Sequence, residues 1–170
     1  VTSVAYVDKG RLVSCSQDRT VRLWPLQTNE VGRTKSQILG AHPDAAICLA
    51  VSQDGTALAS GANDGSIKVW NLNTTQEQAE ARFTSVFRFG IGSDSWDDLK
   101  SLLLSPDGST LYLVTDKGTR FRKVPAGFDD AELPQAKGRG ALSPDGKLLA
   151  TGDRDGTVKL WEVASGRLLA

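Results

Sequence analysis

The sequence predicts an all-β chain assembled from four copies of one small antiparallel sheet. A segment pattern recurs along the chain, turn residues fall at fixed offsets within each copy, and no stretch carries a convincing helical period. The segments VTSVAYVDKGRLVSCSQDRTVRLWPL (1–26), AAICLAVSQDGTALASGANDGSIKVWNL (45–72) and GRGALSPDGKLLATGDRDGTVKLWEV (138–163) share the same marks. Trp24 and Trp70 are 46 residues apart, and Trp70 and Trp161 are 91 apart, close to two such steps. Asp18, Asp64 and Asp155 keep the same spacings. The double step calls for an intermediate copy, and LKSLLLSPDGSTLYLVTDKGTRFRKV (99–124) supplies it. That copy has lost its Trp, and its second turn fits poorly.

Within each copy the residues read as three short strands joined by two tight turns. In the second copy, AICLAVS is apolar enough for a buried inner strand. Gln53-Asp54-Gly55-Thr56 supplies a turn in which Gly takes a positive φ. ALASGA alternates large and small residues, Asn63-Asp64-Gly65-Ser66 turns again, and IKVWNL alternates β-branched or aromatic with polar residues. Strands are therefore expected near 1–7, 11–16, 20–25, 46–52, 57–62, 66–71, 100–105, 110–115, 147–152 and 157–162. A fourth, weaker strand lies between copies: 36–39, part of 81–89, and 166–170. The units run about 1–26, 36–72, 81–124 and 137–163, with a final outer strand at 166–170, all in one domain. DDAELPQA (129–136) offers at most one helical turn, because Pro134 stops more.

Four strands every 40–50 residues, with Trp closing the third, resemble the WD-repeat family of β-propellers. One such blade cannot bury both faces alone, whereas radial stacking covers them. The Trp-Asp dipeptide is absent where it should fall: Pro25, Asn71 and Glu162 follow the repeat tryptophans, and Trp96-Asp97 lies outside the register. The resemblance implies a propeller closing with seven or eight blades, which four cannot do alone. Two expectations follow: an excised portion of a larger propeller, which is preferred, or two chains joined as four plus four. The first unit lacks a preceding outer strand and GRLLA (166–170) looks like one. In a closed ring it is expected to complete the blade begun at the N-terminus.

Composition narrows the function classes. Lys plus Arg and Asp plus Glu each number 20, and the net charge is zero. No strongly basic face for nucleic acid is expected, and no apolar run approaches the roughly 18 residues of a membrane span. The first residues alternate like a strand, so no signal peptide is expected. The chain begins at Val1 and contains no Met, as a piece of a longer or processed polypeptide would. Cys15 and Cys48 lie in expected strands without metal-ligand spacing. They read as buried, reduced thiols in a cytoplasmic protein.

His42 is the only histidine. The WD resemblance implies a structural role: Trp in the third strand bonds Ser or Thr in the second, then His before the first strand, then Asp in the second turn. Trp70, Ser60, His42 and Asp64 occupy those positions. Ser14, Asp18 and Trp24 repeat the pattern in the first unit, where the His position falls before residue 1, and Thr151, Asp155 and Trp161 repeat it in the fourth, which has no His. The competing reading is a hydrolase triad of Ser60, His42 and Asp64, which needs an exposed nucleophile and an oxyanion site that nothing signals. Asp-Gly pairs at 54–55, 107–108, 145–146 and 155–156 are explained by turns, since calcium loops need converging oxygen ligands. No metal, cofactor or catalytic residue is expected.

The third unit has a long lead-in, VFRFGIGSDSWDDLK (86–100), carrying Phe87, Phe89 and Trp96 with Asp94, Asp97 and Asp98. Trp96 reads equally as an exposed binding anchor or as the filler for the missing blade Trp. The expected function is a non-catalytic protein–protein interaction scaffold, a C-terminal or regulatory binding portion of a larger protein. The alternative is a propeller-scaffold hydrolase or lactonase. The partner is expected to be a protein or peptide, beside remaining blades of the parent chain or a second copy, with no nucleic acid or membrane. In WD propellers the second turn lies on the top rim, so the expected binding residues are Gln17, Arg19, Asn63, Trp96, Lys117 and Arg154.

Overall fold

The computed structural model describes residues 1–26, 35–64, 66–72, 83–88, 99–123 and 131–170. The first sheet comprises β1 (Ser3–Asp8), β2 (Arg11–Cys15), β3 (Thr20–Pro25) and β4 (Gln37–Ala41). The second comprises β5 (Ala46–Val51), β6 (Ala57–Ala62), β7 (Ser66–Asn71) and β8 (Phe83–Arg88). The third holds β9 (Leu99–Leu104), β10 (Thr110–Thr115), β11 (Thr119–Lys123) and β12 (Ala131–Leu133). The fourth holds β13 (Arg139–Leu142), β14 (Leu148–Gly152), β15 (Val158–Glu162) and β16 (Arg167–Leu168). Each sheet is an antiparallel meander of four consecutive strands, and the described residues contain no helix.

The turn between the first two strands is built the same way in three sheets. Ser52 Oγ donates to Asp54 Oδ1 at 2.6 Å, and that oxygen accepts from Thr56 N at 2.9 Å. Ser52 Oγ in turn accepts from Ala57 N at 2.9 Å. Ser105 with Asp107 and Ser143 with Asp145 repeat the 2.6 Å bond. Side-chain oxygens thus satisfy backbone donors that the hairpin leaves over. Gly108 completes the third-sheet turn at φ 69°, where a Cβ would also lie 2.5 Å from Ala57 Cβ of the second sheet.

Alternation along the strands gives every sheet a front, facing the next sheet, and a back, facing the one before. Ala5, Val13, Val21 and Leu23 on the first front pack with Leu49, Val51, Leu58 and Trp70 on the second back. Ala50, Ala59, Ile67 and Val69 on the second front meet Leu102, Leu104, Leu111 and Leu113 on the third back. Leu103 and Phe121 meet Leu142, Leu149 and Trp161 across the third seam. Leu58, Ile67, Leu111 and Leu149 are fully buried, each contributing roughly 1.5–3 kcal/mol by removal from water. The core is therefore three layers of side chains between four sheets.

The structure contains every strand the spacing predicts, adds β11 and β13, which the expected positions left out, and departs from the sequence reading in two further places. Segment 129–136 was expected to give at most a helical turn, but Ala131–Leu133 is the outer strand of the third sheet. It pairs Thr119 with Leu133, Arg120 with Glu132 and Phe121 with Ala131, satisfying the free edge of β11. The outer strand at 166–170 does not complete the N-terminal sheet, whose fourth place is held by β4. Instead Gly166 turns the chain back at φ 69°, its N–H donating to Glu162 O at 2.8 Å, and Arg167 pairs with Glu162 on β15.

Candidate functional site

A buried polar chain crosses the second blade. His42 follows β4 and is only 4% exposed. Its Nε2 lies 2.7 Å from Ser60 Oγ, and its Nδ1 lies 2.9 Å from Ser66 Oγ. Trp70 Nε1 donates to Ser60 Oγ at 3.0 Å, and Ser66 Oγ donates to Asp64 Oδ1 at 2.6 Å. These bonds assign the tautomer. The Ser66 proton is committed to Asp64, so His42 Nδ1–H donates to Ser66, and Nε2 accepts from Ser60. Protons run one way, from Trp70 through Ser60, His42 and Ser66 to Asp64. Burial, with help from the Lys68 charge, lowers the His42 pKa to about 4, so the ring is neutral near pH 7.

This arrangement holds the residues predicted for the network and adds Ser66 between His42 and Asp64. The missing signal was present: a hydroxyl residue stands two places after the second-turn Asp in the first, second and fourth units. In the first blade Thr20 Oγ1 donates to Asp18 Oδ1 at 2.6 Å, and Trp24 Nε1 donates to Ser14 Oγ at 2.9 Å. In the fourth, Thr157 Oγ1 donates to Asp155 Oδ1 at 2.6 Å, and Trp161 Nε1 to Thr151 Oγ1 at 2.9 Å. In the fourth blade both halves of the chain persist without a histidine to join them; the matching position of the first blade lies before residue 1. The threonine hydroxyls, seconded by backbone N–H groups, hold Asp18 and Asp155 below the usual carboxylate range.

The third blade replaces the polar chain with apolar packing. Its register puts Arg122 opposite Leu111, where Trp70 stands opposite Leu58. Leu113 takes the place of Ser60 and is buried. Thr119 donates to Ala136 O at 2.6 Å. Phe87 falls in β8, whereas Phe89, Asp94, Trp96, Asp97 and Asp98 lie outside the described residues, and with them both readings of Trp96.

The turns between second and third strands share one rim of the stack. Gln17, Arg19, Asn63, Lys117 and Arg154 are all exposed there. Asp116, which sequence reasoning passed over, holds the place of Gln17, Asn63 and Arg154. Its Oδ2 lies 3.2 Å from Lys100 Nζ and 3.4 Å from Arg154 Nη2, tying the third and fourth blades together at the rim. Arg19 has φ 74°, the one positive-φ residue other than glycine among the described residues. Gly118 and Gly156 take its place in the third and fourth turns. Its carbonyl accepts from His42 N at 2.9 Å.

Four-stranded antiparallel blades stacked front to back, three with a Trp–hydroxyl bond, define a partial β-propeller. Residues 1–25, 33–71 and 140–162 match the family model described as WD domain, G-beta repeat, and the chain belongs to the WD-repeat family. It is 32% identical over 130 residues to human (Homo sapiens) angio-associated migratory cell protein, covering 74% of this chain and 26% of that protein. It is 26% identical over 159 residues to autophagy-related protein 16 of Arabidopsis thaliana, covering 94% and 30%. It is 31% identical over 167 residues to apoptotic protease-activating factor 1 of Rattus norvegicus, covering 95% and 12%. The chain thus spans less than a third of each of these relatives.

Proposed function

We propose that this chain is a non-catalytic scaffold that binds a protein or peptide on the rim formed by its second turns. Arg19 carries the reading. A left-handed backbone costs an L residue roughly 1–2 kcal/mol, and at the equivalent places in the third and fourth blades the chain uses glycine. Strain held at an exposed position points to a side chain kept for contact. Gln17 in the same turn, and Asn63, Lys117 and Arg154 in the second turns of the other blades, offer hydrogen bonds suited to a peptide backbone and its carboxylates. Interface energy concentrates in a few Arg and aromatic residues, and Trp96 is the aromatic anchor of this proposal. Cys15 is buried, whereas Cys48, expected to be buried too, is half-buried; desolvation still pushes its thiol up to about 12, and two free thiols suit a cytoplasmic setting.

The test compares partners captured from the source lysate by wild type, by Arg19→Gly and by Trp96→Ala with Arg154→Ala. The captured protein is then purified, and its affinity for each form is measured by calorimetry. Loss of affinity with an unchanged circular dichroism spectrum supports the rim. Equal affinities place the contact on another face.

A further inference from the structure

Neighbouring blades carry opposite charges at one equivalent rim position, Asp116 in the third and Arg154 in the fourth. Arg154 Nη2 and Asp116 Oδ2 are 3.4 Å apart, and no hydrogen bond joins the two side chains. The Arg154 side chain is 79% exposed and that of Asp116 31%. The same Asp116 oxygen lies 3.2 Å from Nζ of Lys100 on β9, whose side chain is only 18% exposed. Asp116 therefore faces two cations, one held against its own blade and one largely in solvent.

The Asp116 carboxylate has no task in its own turn. In the first, second and fourth blades, Oδ1 of Asp18, Asp64 and Asp155 accepts from the N–H and the hydroxyl of the residue two places on. In the third blade the Thr115 hydroxyl ties the turn instead. It accepts from Lys117 N at 3.1 Å and Gly118 N at 3.2 Å, and donates to Gly118 O at 2.8 Å. The other turn carboxylates are thus committed to their own backbone, while the guanidiniums of the rim are not. The Arg19 side chain makes no hydrogen bond or ion pair among the described residues, and Arg154 has only its contact with Asp116.

We propose, building on the rim contact above, that the partner is an acidic peptide and that Asp116 is the internal stand-in for its carboxylate. An incoming Asp or Glu side chain displaces Asp116 from Arg154 and is gripped through two parallel N–H donors, the geometry for which a guanidinium is built. The exchange is cheap on both sides. An exposed ion pair contributes little to folding, and Lys100 keeps Asp116 paired after Arg154 has left it. Asp116 also sets a threshold: a peptide without a carboxylate at Arg154 does not replace the contact it breaks.

The experiment is a nitrogen-15 NMR titration of the full chain with end-blocked hexaglutamate, hexaglutamine and hexalysine, with circular dichroism as the folding control. Hexaglutamate alone is expected to bind, shifting the guanidinium signals of Arg154 and Arg19. Asp116→Asn is expected to tighten binding by about fivefold, the size of one exposed ion pair. The comparison is Asp44→Asn, which removes the same charge beside the second turn of the second blade, where Asn63 N donates to Ala45 O at 2.9 Å. It is expected to gain less than about twofold, since screening weakens a distant charge. Arg154→Ala weakens binding and abolishes the gain from Asp116→Asn in the double variant. Equal gains from Asp116→Asn and Asp44→Asn, or a gain that survives Arg154→Ala, would mean that Asp116 acts only through its charge and would overturn the proposal. Preference for hexalysine or hexaglutamine, or no binding of any of the three, would overturn the acidic partner. The rim contact itself is judged apart from these outcomes, by the calorimetry on the captured protein.

Discussion

His42 Nδ1 lies 2.9 Å from Ser66 Oγ, and that hydroxyl carries the histidine's link to the exposed turn carboxylate of Asp64. Ser66 is 2% exposed while Asp64 sits at the surface, so the two are not equivalent to remove. Ser66→Ala leaves a buried imidazole N–H without its acceptor and is expected to cost about 1–3 kcal/mol. Asp64→Ala leaves a hydroxyl that water at the turn can serve, and is expected to cost less. Urea unfolding of both variants checks the order, and equal or reversed losses contradict the proton path from His42 to Asp64.

The neutral His42 ring makes stability depend on acid. Its folded pKa is lowered to about 4, whereas the unfolded residue titrates near 6.5. Between these values the unfolded chain binds the extra proton, so stability falls as pH drops from 6.5 towards 4 and is unaffected above 6.5. The full loss is on the order of 3 kcal/mol. Because His42 is the only histidine, its imidazole resonances titrate without ambiguity. Urea midpoints that stay flat from pH 7 to pH 4.5 would contradict its burial as a neutral base.

Gly108 and Gly156 separate backbone strain from blade packing. Both have positive φ, 69° and 87°, but a Cβ on Gly108 would lie 2.5 Å from Ala57 Cβ, while nothing lies within 4 Å of one on Gly156. Gly156→Ala is expected to cost only the left-handed strain of roughly 1–2 kcal/mol. Gly108→Ala adds overpacking of about 1–3 kcal/mol at the seam between second and third blades. Thermal unfolding of the pair measures the difference. Equal losses would mean the two first turns do not pack against each other.

The strands were legible because turn and Trp positions repeat at fixed offsets, and a period-two pattern between them leaves little choice of register. Residues 131–133 carried no such mark: three residues ahead of Pro134 show no period. They form a strand only because the edge of β11 demands a backbone partner, which is tertiary information. The outer strands were ambiguous for a related reason. A repeat can be divided before or after its outer strand without changing any spacing, so sequence alone did not say whether 166–170 belonged to the first blade or the fourth. The tight turn at Gly166 decides it. Within the polar chain, Trp70, Ser60, His42 and Asp64 stood out by type and position. Ser66 did not, because a serine after an Asp-Gly turn reads equally as turn chemistry.

Arg19 offers the last and sharpest test, because stability and binding should move in opposite directions there. With φ at 74°, glycine relieves left-handed strain of roughly 1–2 kcal/mol and returns about 0.5–1 kcal/mol as added freedom of the unfolded chain. Arg19→Gly is therefore expected to stabilise the folded protein by about 0.5–1 kcal/mol while weakening the rim contact. Arg19→Asn, which tolerates the same backbone, should be close to neutral for folding and weaken binding similarly. Urea midpoints and calorimetric affinities on the same preparations check both. A lower midpoint for Arg19→Gly would show that the side chain contributes packing that exceeds its strain. Arg19 would then be a structural residue and no longer evidence for a binding rim.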